Sequence, residues 1–63
     1  MLPYQQRVLD EQLELDTKIV ALASFLNSGQ LINVSDEEVQ RLNMQLCAMR
    51  LYSAILSQRI SNF

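Results

Sequence analysis

Val34-Ser35-Asp36-Glu37-Glu38-Val39 marks the start of a helix and so divides the chain in two. Ser35 has the side chain of an N-cap residue. Its hydroxyl is expected to accept from the free N–H of Glu38, and the Glu38 carboxylate to reach back to the N–H of Ser35, which together make a capping box. Val34, just outside the cap, and Val39, at the fourth helical position, have the spacing of a hydrophobic staple. Asp36, Glu37 and Glu38 put negative charge at the positive end of the helix dipole. Upstream, Asn27-Ser28-Gly29 reads as a helix stop, with Gly29 free to take the left-handed conformation. The expected order is helix from about residue 3 to 27, connection from 28 to 35, and helix from 36 to about 61, all in one domain spanning 1–63.

Pro3 suits the first position of the first helix, because it has no N–H to leave unpaired. Val8, Gln12, Leu15, Ile19, Leu22 and Leu26 step by four and three along one face, with Gln12 the polar break. A weaker stripe, Leu9, Leu13, Val20 and Ala23, lies beside it. Arg7, Asp10, Glu11, Glu14 and Lys18 form the opposite, solvated face. Arg7 with Glu11 and Glu14 with Lys18 have ion-pair spacing, worth only ~0.2–0.5 kcal/mol each. In the second helix the main stripe is Val39, Leu42, Leu46, Met49, Leu56, Ile60 and Phe63, interrupted by Ser53. Met44, Ala48, Leu51 and Ile55 draw another stripe, well separated around the barrel. From Leu46 to Leu56 the helix is apolar nearly all round, with Arg50 its only charge.

A helix with two apolar faces has to bury both. The first helix covers one, so the other calls for a second chain. Length points the same way. Sixty-three residues form a small core that ordinarily needs disulfides, metal or oligomerisation. The single cysteine, Cys47, excludes an internal disulfide, and the absence of histidine argues against a zinc site. The expected fold is therefore all-α, an antiparallel two-helix hairpin that assembles into a helical-bundle homo-oligomer. The connection carries Leu31, Ile32 and Val34. That is apolar for a loop, and it is expected to fold over the hairpin end or into a neighbouring subunit.

Gln5, Gln6 and Arg7 interrupt any early apolar run, so no secretory leader is expected, nor is a membrane span. The lone thiol fits a reducing cytoplasm. A net charge of −2 argues against duplex nucleic acid, which needs a dense basic surface. It leaves room for a small anion held by two or three cations.

Chemistry-bearing groups are few. Without histidine there is no Ser/His or Cys/His pair, and Cys47, within an apolar run, reads as a small buried hydrophobe. Asp10/Glu14 and Glu37/Glu38 read as solvated charges, and one glycine cannot build a phosphate-cradling loop. No catalytic residue, metal ligand or cofactor is expected. Arg50 stands out, since an arginine in the most apolar segment should be partly desolvated and should seek an anion, either a carboxylate across an interface or a phosphate. Tyr4 and Tyr52 each offer a flat face and a hydroxyl. Packing is the stronger reading for Tyr52, while Tyr4 is open to a stacking role.

Tyr4-Gln5-Gln6-Arg7-Val8, Asp10-Glu11, Leu13-Glu14-Leu15-Asp16, Lys18-Ile19 and Phe25-Leu26 resemble the opening of a family of small phage proteins. Glu38, Leu42, Gln45-Leu46, Met49-Arg50, Tyr52-Ser53, Ile55-Leu56 and Arg59-Ile60 continue the match over almost the whole chain. The resemblance is to the phage anti-CBASS cyclic-nucleotide sponges. It implies a non-enzymatic hexamer of helical hairpins, acting in the host cell cytoplasm. Such a protein binds cyclic dinucleotides and cyclic trinucleotides and so keeps a defence effector off. It further implies an aromatic residue stacked on a base and Lys or Arg on phosphates. That suggests Tyr4 and Lys18 for one pocket and Arg50 or Arg59 for another, each shared between subunits. The rival expectation is a structural or adaptor hairpin that docks on a protein partner through its second apolar face.

Overall fold

A computed structural model describes all 63 residues. Helix α1 spans Pro3–Leu26, a short 3-10 turn spans Gln30–Asn33, and helix α2 spans Asp36–Ser61. The helices pack antiparallel in a rod of 46 × 15 × 13 Å. The all-α hairpin expected from the two periodicities is the fold observed. No helix is long and apolar enough to cross a membrane.

The helix ends follow from local chemistry. At the start of α1, the Gln5 side-chain oxygen accepts from the Leu2 N–H at 2.9 Å, and Pro3 follows as the first helical residue. The helix closes on Asn27, whose side-chain amide donates to the Ala23 carbonyl at 3.0 Å. Gly29 then takes φ 76°, the left-handed turn that lets the chain reverse. At the start of α2, the Ser35 hydroxyl accepts from the Glu38 N–H at 3.1 Å. The other half of the expected capping box is absent. The Glu38 carboxylate instead accepts from Arg41 Nε at 2.9 Å, because a charged donor one turn on makes a stronger bond than a neutral backbone N–H. Ser35→Ala should lower the unfolding free energy by about 1 kcal/mol, read as a shift in urea midpoint at fixed protein concentration.

Glu38–Arg41 is the only ion pair. The Arg7–Glu11 and Glu14–Lys18 pairs expected from spacing do not form. Their long side chains lie on exposed or half-exposed helix surface, where ordering them costs about as much as the contact returns. Asp10 accepts instead from the Gln6 amide at 3.0 Å.

The main stripes face each other as their spacing required. Val8, Leu15 and Leu56 form the buried cluster, with Ile19, Met49 and Ile60 packed on it, and Leu46 is buried further along. The polar breaks in the two stripes meet. Gln12 donates to the Ser53 carbonyl at 3.2 Å and to the Ser57 hydroxyl. The Ser53 hydroxyl in turn donates to Asp16 Oδ1 at 2.6 Å. Neither interruption is left as an unpaired polar group in the seam, and together they fix the register of the hairpin.

Only four residues of 63 are buried. Met44, Leu51 and Ile55 stay 63%, 64% and 46% exposed, and Ala48 between them is exposed too. The second stripe of α2 is thus wholly unpartnered within one chain. Cys47 and Arg50 are likewise exposed within one chain, so the burial expected for them, like that of the stripe beside them, is not supplied by α1. The apolar residues around them turn away from α1, so one hairpin cannot cover them. In the connection, Leu31 and Val34 are half-buried over the closed end, while Ile32 points outward.

Candidate ligand-binding surface

Tyr4 lies in the first turn of α1, at the open end of the hairpin. The residue is 45% exposed, and its ring meets that of Phe63 nearly at right angles, with centroids 5.8 Å apart and an interplanar angle of 76°. Arg59 lies in the last turn of α2, and Phe63 follows two residues beyond the end of that helix. Its side chain is exposed and pairs with no carboxylate. Tyr4, Phe63 and Arg59 therefore belong to one end of the hairpin, and helical stepping puts Tyr4 and Arg59 on one flank.

Lys18 shares that flank of α1. At ~1.5 Å of rise per residue it is about 21 Å from Tyr4 along the helix. The two do not converge within one chain, and a pocket that uses both must take them from different subunits. The register set by Gln12 against Ser57 and Asp16 against Ser53 brings Lys18 level with Arg50. Stepping α2 by ~100° per residue puts Arg50 on the opposite flank, the side on which Asp16 meets Ser53. Lys18, Arg50 and Arg59 are all exposed cations without an ion-pair partner. Tyr52 is 43% exposed and, by the same stepping, lies on the flank of Tyr4 and Lys18.

On the Arg50 side, a shallow depression of 310 Å³ is lined by Leu13, Asp16, Thr17 and Val20. It is open and belongs to α1 alone. One carboxylate faces it, already engaged by the Ser53 hydroxyl. No group of three or more His, Cys, Asp or Glu side chains is placed to hold a metal ion.

Sequence reasoning placed Phe63 in the core stripe of α2 and left its contact with Tyr4 undetected. The signal was the antiparallel order itself, which brings the first turn of one helix to the last turn of the other. The same reasoning saw Gln12 and Ser53 only as interruptions, although they are partners.

A family model described as Sequestin matches residues 2–62. The chain is 41% identical over 63 residues to the "Uncharacterized 7.5 kDa protein in denB-rIIB intergenic region" of Enterobacteria phage T4, covering all of this chain and 98% of that protein. No solved structure matches it. The resemblance to small phage proteins drawn from Tyr4-Gln5-Gln6-Arg7-Val8 and the motifs after it is borne out at the level of the family. A match over almost every residue, joined to a relative of nearly the same length, establishes that the chain belongs to the Sequestin family.

Proposed function

We propose that this protein is a non-enzymatic phage anti-defence factor that sequesters cyclic dinucleotide and cyclic trinucleotide messengers in the host cytoplasm and so blocks activation of CBASS effectors. The observation that carries the reading is membership of a family named for sequestration, over residues 2–62. The surface supports it in kind. Tyr4 offers an exposed ring, and Lys18, Arg50 and Arg59 offer exposed charges not committed to carboxylates.

A cyclic dinucleotide carries two negative charges and two flat bases. A site on a two-fold axis between copies of the chain supplies paired cations and paired rings from few residues. Base stacking on an aromatic contributes ~1–3 kcal/mol per base. Such a site explains how Tyr4 of one subunit and Lys18 of another can serve one ligand although a single chain holds them apart. The assembly in this reading is a homohexamer, joined through Met44, Ala48, Leu51 and Ile55.

Isothermal titration with cyclic di-AMP, cyclic GMP–AMP and cyclic tri-AMP tests the proposal. Tyr4→Ala, Lys18→Ala and Arg59→Ala should each weaken binding by about tenfold to hundredfold, the equivalent of ~1.5–3 kcal/mol for a lost charge-assisted bond or stacking face. All three should remain assembled. Arg50→Ala distinguishes two roles: weaker binding with the assembly intact marks a phosphate contact, whereas dissociation marks an ion pair between subunits. Recovery of intact ligand after denaturing the complex separates sequestration from degradation.

The exposed stripe of α2 also favours a second reading, in which the hairpin is an adaptor and that face docks on a different protein. Absence of heat with every cyclic nucleotide at micromolar concentration would support the adaptor.

A further inference from the structure

We infer that Phe63 is a positioning residue for the Tyr4 ring, and that the two rings form an aromatic corner against which one base of the ligand is placed. The inference rests on the sequestration reading and adds a residue to it. Both rings project from helix ends that are pinned by their own hydrogen bonds. On the α2 side, the Asn62 amide donates to the Gln58 carbonyl at 2.7 Å, and the Phe63 N–H donates to the Ile60 carbonyl at 3.2 Å. On the α1 side, the Leu2 carbonyl accepts from the N–H groups of Gln5 and Gln6, at 3.0 and 3.2 Å.

Those hydrogen bonds hold the backbone of the first turn but not the Tyr4 ring, so a stacking ring there needs a support from outside α1. Phe63 supplies it. Edge-to-face contact at 5.8 Å and 76° is a preferred aromatic geometry. It also leaves at least one face of Tyr4 open, which matters because a base needs a free face. Tyr4 and Phe63 keep 45% and 42% of their surface accessible, so the pair is a surface corner and not a piece of core. Arg59, in the last turn of α2, puts a cation at the same end of the hairpin, available to a phosphate joined to the stacked base.

A double-mutant cycle by isothermal titration with cyclic di-AMP, cyclic GMP–AMP and cyclic tri-AMP tests this. Phe63→Ala should weaken binding about two- to tenfold, the scale of one aromatic pair, with the assembly mass unchanged by light scattering. Phe63→Tyr, which keeps the ring, should restore affinity. In a Tyr4→Ala background, Phe63→Ala should have no further effect, because its role runs through Tyr4. With Tyr52→Phe silencing the other tyrosine, Phe63→Ala should also flatten the tyrosine near-UV circular dichroism of the free protein. If Tyr4→Ala weakens binding and Phe63→Ala does not, the positioning role is overturned and the sequestration reading stands. If Phe63→Ala costs as much without Tyr4 as with it, Phe63 acts independently and the inference is likewise overturned. If the parent binds none of the three nucleotides, both readings fall together.

Discussion

Replacing Leu51 by glutamate is expected to take the protein apart. Leu51 is 64% exposed in the single hairpin, and on a free helix surface such a change shifts stability by no more than ~0.5 kcal/mol. The same substitution inside an interface between chains strands a charge away from water, at a cost of about 3–5 kcal/mol per subunit. The position argues for the interface. Met44, Ala48, Leu51 and Ile55 alternate by four and three residues, the spacing of a helix–helix seam. A hairpin with four buried side chains also has a core of the small size that oligomerisation commonly supplements. Light scattering and circular dichroism on Leu51→Glu should find a smaller particle, a largely unfolded chain, or both. A parent that runs as a stable monomer at low micromolar concentration, with a Leu51→Glu variant of equal melting temperature, would sink the oligomer.

Leu56→Ala is expected to cost ~2–5 kcal/mol. Leu56 is the most enclosed side chain, at 1% exposure, and it packs with Val8 and Leu15 at the centre of the seam. The cavity left behind has poor prospects of collapsing, because Gln12, Ser53 and Ser57 hold the helices in register close by. The measurement is the urea midpoint at one protein concentration, since linkage to assembly makes apparent stability depend on concentration. A loss under ~1 kcal/mol would mean that the hairpin seam is not the main core. Leu51→Ala measured beside it ranks the two faces: a cost near that of Leu56→Ala puts Leu51 in an equally buried interface, and a negligible cost leaves it in solvent.

The helix limits were legible because the signals that set them are local. Ser35 caps α2 from three residues away, and Gly29 alone among nearby residues takes the left-handed turn without strain. The facing stripes were legible for a related reason, since a helix turns by a fixed angle per residue and so sorts its side chains before any partner arrives. Burial within one chain was not legible at Cys47 and Arg50, which the hairpin leaves exposed. Their neighbours are apolar, but burial depends on what lies opposite, and α1 lies opposite the other face. The candidate site was legible as a set of residue types and not as an arrangement. Tyr4, Lys18, Arg50 and Arg59 can be named from the chain. That Lys18 and Arg50 sit level on opposite flanks cannot.

By itself the sequence determined that the chain is an all-α hairpin, that one apolar stripe is left over, and that it resembles a family later established by its match over residues 2–62. Periodicity, caps and motif order are properties of contiguous residues, and no partner is needed to express them. Only the tertiary structure decided the register, and with it every contact between the helices. An antiparallel pair can slide by a turn at small cost to its apolar stripes. It was the meeting of Gln12 with Ser53 and Ser57, and of Asp16 with Ser53, that selected one alignment. That alignment set Tyr4 against Phe63 and parted Tyr4 from Lys18, because contacts across a hairpin are fixed by residues some forty positions apart, beyond the reach of any local pattern.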